Sequence, residues 1–125
     1  MKILVVDDEV DVTLLFQQRF RKEIKNNEMD FAFAHSGEEA LVFIKEHNHE
    51  AILILSDINM PGMSGLELLK QIKEIRPTPP PVVMMITAYG DDENYQEAMR
   101  LGADEFLTKP VDFTSLKEKL KLKLS

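Results

Sequence analysis

Four short apolar runs in this 125-residue chain each lead into side chains that could do chemistry. Those side chains are Asp7 and Asp8 after the first run, Asp57 after the second, Thr87 after the third and Lys109 after the fourth. Three carboxylates held close together repel one another, so such a site either raises a pKa or binds a cation. The set offers oxygen ligands and neither His nor Cys, which favours a hard ion. Mg2+ suits a site with few protein ligands and open positions for water.

The hydroxyl and the ammonium group extend this prediction from a metal site to a reaction. Thr87 offers a hydrogen-bond donor and Lys109 a fixed positive charge beside the carboxylates. Together with a metal ion they form a receptor for a group bearing several negative oxygens, such as a phosphoryl group. Asp57 lies at the centre of the set, so we expect its carboxylate to attack phosphorus and form an acyl phosphate.

The spacing of apolar residues predicts the elements that must position these side chains. Continuous apolar runs indicate buried strands, and apolar residues three and four apart indicate amphipathic helices. The pattern predicts strands near 3–6, 31–34, 52–57, 82–86 and 105–108, and helices near 10–26, 38–46, 66–75, 92–101 and 113–124. Such alternation implies a parallel sheet with helices on both faces, an α/β fold. The carboxyl ends of parallel strands meet at one edge, where ligands bind.

Local signals support several of these elements. Ser36 and Glu39 form a predicted capping box at the start of the second helix. Gly102 is expected to close the fourth helix in a left-handed conformation. Three methionines are predicted to fill the core: Met84, Met85 and Met99. Of the three histidines, His35, His47 and His49, the last two are predicted to lie in a solvated turn and not to bind metal.

Composition limits the classes of function. The length predicts one domain over residues 1–125, and the absence of cysteine excludes disulfides and thiolate metal sites. A net charge of -7 argues against binding to nucleic acid or to an anionic membrane. No apolar run approaches the roughly 20 residues that span a bilayer, so we expect a cytoplasmic protein.

The motifs together resemble the receiver domain of two-component response regulators. The resemblance rests on Asp7-Asp8, the run Asp57-Ile-Asn-Met-Pro-Gly62, Thr87-Ala88, Phe106 and Lys109-Pro110, and it covers essentially the whole chain. It implies a flavodoxin-like fold of five βα units in three layers, with strand order 2-1-3-4-5, of which the chemotaxis regulator is a known example.

The resemblance also implies residue roles. Asp57 would accept a phosphoryl group from a histidine of a sensor kinase or phosphotransfer protein. Mg2+ would be held by Asp57, Asp8 and the carbonyl of Asn59, with Asp7 acting through water. Lys109 would pair with the phosphoryl oxygens, and a cis peptide bond would precede Pro110. Such a domain is a switch with self-catalysed phosphotransfer and autodephosphorylation, not an enzyme acting on other substrates.

The implied switch joins the site to a distant surface. Thr87 would move toward the phosphoryl group and Phe106 would rotate inward; because Phe106 has no hydroxyl, burial alone must report its movement. The surface read by an effector protein or domain would be the fourth helix, fifth strand and fifth helix. A homodimer formed on phosphorylation is a further expectation. Asn59 and Tyr89 match positions that tune the hydrolysis of the acyl phosphate, and the bulk of Tyr89 could shield the phosphoryl group from water.

Other interpretations of the same residues remain open. A metal-dependent phosphohydrolase with an aspartyl nucleophile would normally have a second acid two positions after the first, where this chain has Asn59. A receiver-like module that binds partners without phosphorylation is the main alternative, although all the chemical positions are intact. The chain could also be the N-terminal part of a longer protein.

Overall fold

The computed structural model describes residues 2–47, 50–76, 81–88 and 91–124. Its strands are β1 (Lys2–Val6), β2 (Asp30–Ala34), β3 (Ile52–Asp57), β4 (Val82–Thr87) and β5 (Glu105–Thr108). All four pairings are parallel, and the order across the sheet is β2-β1-β3-β4-β5. The flavodoxin-like strand order is therefore confirmed.

Helices cover both faces of the sheet and complete three layers. They are α1 (Asp11–Arg19), α2 (Arg21–Lys25), α3 (Gly37–Glu46), α4 (Gly65–Ile75), α5 (Asp92–Arg100) and α6 (Phe113–Leu124). Helices α1, α2 and α6 pack on one face, and α3, α4 and α5 pack on the other. Side chains of a strand alternate between the two faces, so Ile3 and Val5 join one core while Leu4 and Val6 join the other.

The first predicted helix is not continuous, which corrects the expectation of one helix from Val10 to Asn26. It is divided at Phe20, whose backbone leaves the helical region (φ -109°, ψ 19°). The N–H of Phe20 still donates to the carbonyl of Phe16 at 2.9 Å, and the N–H of Ile24 donates to Phe20 in the same way. The helix is therefore interrupted at Phe20, whose ring is fully buried, while its hydrogen bonds continue on both sides. Counted separately, the described residues hold six helical segments instead of the five predicted.

Five phenylalanine rings form a cluster on the α1–α6 face of the sheet. Neighbouring centroids lie 5.1 to 6.4 Å apart, and most pairs are edge-on or tilted. The rings belong to Phe16, Phe20, Phe31, Phe33 and Phe113. We call this group the aromatic cluster. It joins α1, β2 and α6 across the sheet.

Most local predictions agree with the structure, and one does not. The Ser36 hydroxyl accepts from the N–H of Glu39 at 3.0 Å, and Gly102 has a φ of 96°. Met84 and Met85 are fully buried, but Met99 is 42% exposed on α5, which corrects its predicted place in the core. Helix α5 buries little beyond Ala98, so its apolar stripe is narrower than the sequence suggested. None of the described helices combines the length and the apolar character needed to cross a bilayer.

Candidate functional site

The register of the sheet brings the predicted site residues to one edge. Val6 lies beside Ser56 in the β1–β3 pair, so Asp7 follows next to Asp57. Asp57 lies beside Ile86 in the β3–β4 pair, and Thr87 lies beside Thr108 in the β4–β5 pair. Each functional side chain therefore sits at, or one or two residues past, the carboxyl end of its strand, over the switch point between β1 and β3.

Three carboxylates meet at this edge. Oxygens of Asp7, Asp8 and Asp57 all lie within 4.8 Å of one another. Asp57 is only 4% exposed, whereas Asp8 faces solvent. A set of carboxylate oxygens with one open side fits a hard divalent cation that keeps part of its hydration, as Mg2+ does.

The ammonium group of Lys109 partly compensates this negative charge. Its Nζ donates to Asp57 Oδ2 at 3.0 Å. Burial alone would lower the pKa of Lys109, but the hydrogen bond and charge of Asp57, together with the charges of Asp7 and Glu9, outweigh it and raise the pKa. Lys109 is therefore a permanent positive charge on one oxygen of the buried carboxylate.

The negative charge of Asp7 is less well compensated than that of Asp57. Burial raises the pKa of Asp7 above its ordinary value, and the charge of Asp57 adds to the rise. The N–H of Glu9, which donates to Asp7 Oδ1 at 2.9 Å, and the charge of Lys109 oppose it without cancelling it. Burial is the main cause of this rise and repulsion from Asp57 a smaller one, and a cation bound between the two carboxylates would relieve both.

The loop after β3 is held tightly beneath the carboxylates. The N–H of Ile58 donates to the carbonyl of Ile86 at 2.9 Å, and the N–H of Gly65 donates to Ile58 at 2.8 Å. Asn59 is exposed, and its N–H points at Asp57 Oδ1 at 3.4 Å. These contacts fix where β3 ends and therefore where the Asp57 carboxylate stands.

Sequence reasoning missed the importance of Gly65 and the cap before it. A Cβ atom on Gly65 would lie 2.1 Å from the carbonyl oxygen of Asp57 and 2.8 Å from Ile58 Cα, so only glycine fits there. The Ser64 hydroxyl accepts from the N–H of Glu67 at 3.2 Å and caps α4. The four residues from Ser64 repeat the Ser-Gly-x-Glu pattern that begins at Ser36, which could have revealed this cap.

The two predicted switch residues have different surroundings. Thr87 is fully buried, and its hydroxyl oxygen makes no hydrogen bond to any residue the structure describes. Phe106 is partly buried in β5, and its ring meets the ring of Tyr95 edge-on, with centroids 4.9 Å apart. Tyr95 itself is 46% exposed on α5, so Phe106 links the sheet to a solvent-facing aromatic side chain. Tyr89 lies outside the described residues.

A groove opens directly beside the charged site. It has a volume of about 590 Å³ and runs between α1 and the segment from Lys109 to Phe113. Asp7 and Lys109 form its charged end, and Val12, Leu15 and Phe16 line its apolar side. The peptide bond before Pro110, on the rim of this groove, is cis, as the resemblance implied. A second groove of about 650 Å³ lies between α1, α2 and β2, away from the carboxylates.

Comparison with known proteins gives one consistent result. The family model of the response regulator receiver domain matches residues 3–121. The chain is 37% identical over 123 residues to the transcriptional regulatory protein ZraR of Escherichia coli K12, covering 98% of this chain and 26% of that protein. It is 38% identical over 109 residues to the transcriptional regulatory protein ResD of Bacillus subtilis, covering 87% of this chain and 42% of that protein. The chain therefore spans about a quarter to a half of the length of these relatives.

Solved structures agree with the sequence relatives. A CheY-like response regulator receiver domain protein from Methanospirillum hungatei superposes with a TM-score of 0.82 at 33% identity, covering 98% of this chain and 92% of that one. The chemotaxis response regulator CheY4 of Vibrio cholerae superposes with a TM-score of 0.78 at 27% identity, covering 99% and 98%. Receiver domains in this family bind Mg2+ at an acidic pocket, in keeping with the aspartate cluster found here. By sequence and by structure, the chain belongs to the family of response regulator receiver domains of two-component systems.

Proposed function

We propose that residues 1–125 form one receiver unit in which Asp57 accepts a phosphoryl group. The observation that carries this proposal is the state of Asp57: a nearly buried carboxylate with an ammonium group on one oxygen and two further carboxylates within 4.8 Å. Such an arrangement places a nucleophile where positive charge can collect around an incoming phosphoryl group.

The proposed reaction is transfer from a phosphohistidine of a sensor kinase or phosphotransfer protein. A carboxylate oxygen of Asp57 forms the new bond to phosphorus. The bond from phosphorus to the imidazole nitrogen breaks, and its electron pair stays on that nitrogen. Lys109 then exchanges its contact with Asp57 Oδ2 for a contact with a phosphoryl oxygen, so its charge follows the transferred group.

A divalent cation belongs to this proposal because the donors fit one. Asp8, Asp57 and the carbonyl oxygen of Asn59 would hold Mg2+ directly, and Asp7 would hold it through water. When bound, the ion supplies two positive charges to the phosphoryl oxygens. Water attacking phosphorus would break the bond to the Asp57 oxygen, release inorganic phosphate and restore the carboxylate, so the same residues carry the autodephosphorylation we propose. The unit is a switch, not an enzyme acting on other substrates.

The groove beside the site is the surface on which we propose the phosphodonor docks. Its charged end is formed by Asp7 and Lys109, so a partner seated in it would present its histidine next to Asp57. The neighbouring α1 surface exposes large apolar side chains: Val10 at 64%, Leu14 at 63% and Leu15 at 38%. Exposed apolar surface continuous with a reaction site favours a protein partner over a small substrate.

The proposed output begins at Thr87. Its hydroxyl group has no partner among the described residues, so a phosphoryl oxygen on Asp57 would offer the first one. Movement of Thr87 would open space for Phe106, and the ring of Tyr95 packs against Phe106. The surface formed by α5, β5 and α6 would then change and control an effector, in the same chain or separate, or a second copy of this chain. We place this switch in the cytoplasm, without direct contact to nucleic acid or membrane.

Intact-mass measurement after incubation with Mg2+ and acetyl phosphate tests the proposal. We expect the parent chain and a control variant, Asp30→Asn, to gain one phosphoryl group, because Asp30 is an exposed acid paired with Lys2, far from the site. Asp57→Ala should gain none, and addition of a chelator should abolish the gain. If the parent gains nothing under conditions that label another receiver domain, Asp57 is not a phosphoacceptor, and the alternative of a phosphorylation-independent binding module takes its place.

A further inference from the structure

His35 lies against the acidic turn, and no role has been assigned to it. It follows β2, is partly buried, and its ring Nδ1 is 3.0 Å from the backbone carbonyl oxygen of Asp7. A carbonyl oxygen can only accept, so Nδ1 must carry the hydrogen of this bond. In the neutral ring the lone pair is therefore on Nε2, and the hydrogen bond fixes both the tautomer and the ring orientation.

This bond completes a set of contacts that hold Asp7 from several sides. The N–H of Asp7 donates to the carbonyl of Ala34 at 3.0 Å, and its carboxylate accepts from the N–H of Glu9 at 2.9 Å. The backbone N–H of His35 in turn donates to the carboxylate of Glu39 in the first turn of α3. The ring of His35 thus holds the turn from Asp7 to Glu9, while its backbone N–H is held by the start of α3.

We propose that His35 is a positioning residue that sets the cation affinity of the aspartate cluster. The inference rests on the proposed function, because it concerns the same cation site. Two of the three carboxylates, those of Asp7 and Asp8, belong to the turn that His35 holds. Without the Nδ1 donor the Asp7 carbonyl loses a hydrogen bond, and the turn can sample positions in which the carboxylates are farther apart. Cation binding must then restrict the turn again, which weakens affinity.

The test compares variants that differ only in the donor. His35→Leu removes it, whereas His35→Asn places an amide N–H close to the position of Nδ1. The matched control is His47→Leu, because His47 Nδ1 makes the same kind of bond, to the carbonyl of Phe43 at 2.8 Å, outside the aspartate cluster. Calorimetric titration with Mg2+ alone should show binding weakened by about 3- to 10-fold in His35→Leu, and by less than about 2-fold in His35→Asn and His47→Leu.

Two further readouts separate positioning from a general loss of stability. Phosphorylation by acetyl phosphate at saturating Mg2+ should proceed at nearly the parent rate in His35→Leu, because the lost affinity is restored by concentration. Long-range nitrogen–proton spectra of the metal-free parent should show an imidazole protonated on Nδ1 whose signals vanish in His35→Asn. This measurement keeps the inference testable even if His35→Leu fails to fold.

The outcomes distinguish this inference from the proposed function. If the parent binds Mg2+ and His35→Leu binds it equally well, the positioning role is wrong while the phosphoacceptor site stands. If the neutral His35 ring carries its hydrogen on Nε2 instead of Nδ1, the positioning role is also wrong while the phosphoacceptor site stands. If the parent does not bind Mg2+ at all, the proposed cation site and this inference are both overturned.

Discussion

Replacing Gly65 with alanine should damage both stability and phosphorylation, although alanine normally suits a helix better than glycine does. The added Cβ would lie 2.1 Å from the carbonyl oxygen of Asp57 and 2.9 Å from its carbonyl carbon, where ordinary contacts begin at 3.4 Å. Both contacts are to backbone atoms, which cannot rotate away. The first turn of α4 must therefore move about 1 Å from the end of β3.

The free energy of this change can be worked from the contacts it disturbs. Such a shift would stretch the 2.8 Å bond from the Gly65 N–H to Ile58, a loss of about 1 kcal/mol. Strain from overpacking adds roughly 1 to 3 kcal/mol, and replacing glycine returns about 0.4 to 1 kcal/mol through the unfolded chain. These contributions together span about 1 to 3.6 kcal/mol, and we expect Gly65→Ala to lower the free energy of unfolding by an amount near the middle of that range, about 2 to 3 kcal/mol. For a chain of 125 residues this lowers Tm by roughly 10 °C.

Gly37→Ala provides a matched control. Gly37 is also the first residue of a helix and also follows a serine cap, but its added Cβ would meet only side-chain atoms of Met63, at 2.8 to 2.9 Å. A rotamer change moves the Sδ and Cγ atoms of Met63, and a small shift of its loop moves Cβ, so we expect a loss of about 1 kcal/mol. The two glycines share a local sequence pattern and differ in whether backbone or side-chain atoms lie nearest the added Cβ.

Urea unfolding followed by circular dichroism measures both free energies, and acetyl phosphate labelling measures the effect on the site. Gly65→Ala should also phosphorylate more slowly than Gly37→Ala, because its strain falls on the backbone of Asp57. If the two variants unfold within about 0.5 kcal/mol of each other, the close approach of α4 to β3 does not constrain the chain as argued here.

Three further substitutions test separate parts of the structure. Lys109→Met removes the ammonium group 3.0 Å from Asp57, so phosphorylation should slow by at least about 10-fold. Calorimetry should show that the variant binds Mg2+ as tightly as the parent or more tightly. An unchanged rate of phosphorylation would count against the role of Lys109. Glu23→Gln breaks a nearly buried ion pair with Lys117, also 3.0 Å long, and should cost about 1 to 2 kcal/mol in urea unfolding at neutral pH. Burial raises the pKa of Glu23, but the hydrogen bond and charge of Lys117 outweigh burial and lower the pKa below its ordinary value of 4.5. The stability that the pair contributes is therefore present above pH 4.5 and disappears as the pH falls through the folded-state pKa. A difference in stability between Glu23→Gln and the parent that persists in acid would refute the assignment. Thr87→Val replaces a buried hydroxyl without a described partner by a methyl group, so stability should change by less than about 0.5 kcal/mol or rise. The shift of Phe106 signals in spectra of the phosphorylated chain should be lost.

The sequence predicts well what depends on uninterrupted apolar runs. The bounds of β3 agree with the structure, because its apolar run ends sharply at Asp57 and the turn residues after it. Those of β5, which is half polar, agree because Lys109-Pro110 ends that short strand. Once the strands are parallel, the residues after them must share one edge. The neighbouring positions of β1 and β3, which bring Asp7, Asp8 and Asp57 together, were implied by the resemblance and not by the strand ends. The chemical roles of these residues do not follow from the same argument and remain predictions.

What the sequence could not predict depends on partners far along the chain. Helical spacing marks Phe20 as buried but does not show that the helix is interrupted there. Glu23 looks like a surface residue of that helix, and only the structure brings it to Lys117 of α6. The exposure of Met99 has the same origin, because a stripe on a helix does not reveal how much of it a neighbour covers.

The aromatic cluster has a consequence for the order in which the chain can fold. Phe16 and Phe20 near the beginning meet Phe113 from the last helix, at 5.3 and 6.1 Å, so nearly a hundred residues separate partners in one contact. During synthesis, α3, α4 and α5 can cover their face of the sheet once α5 has emerged, before α6 is available. The opposite face stays partly bare until α6 has left the ribosome. The half of the core that lies between the sheet and α1, α2 and α6 is therefore among the last parts of the structure to form.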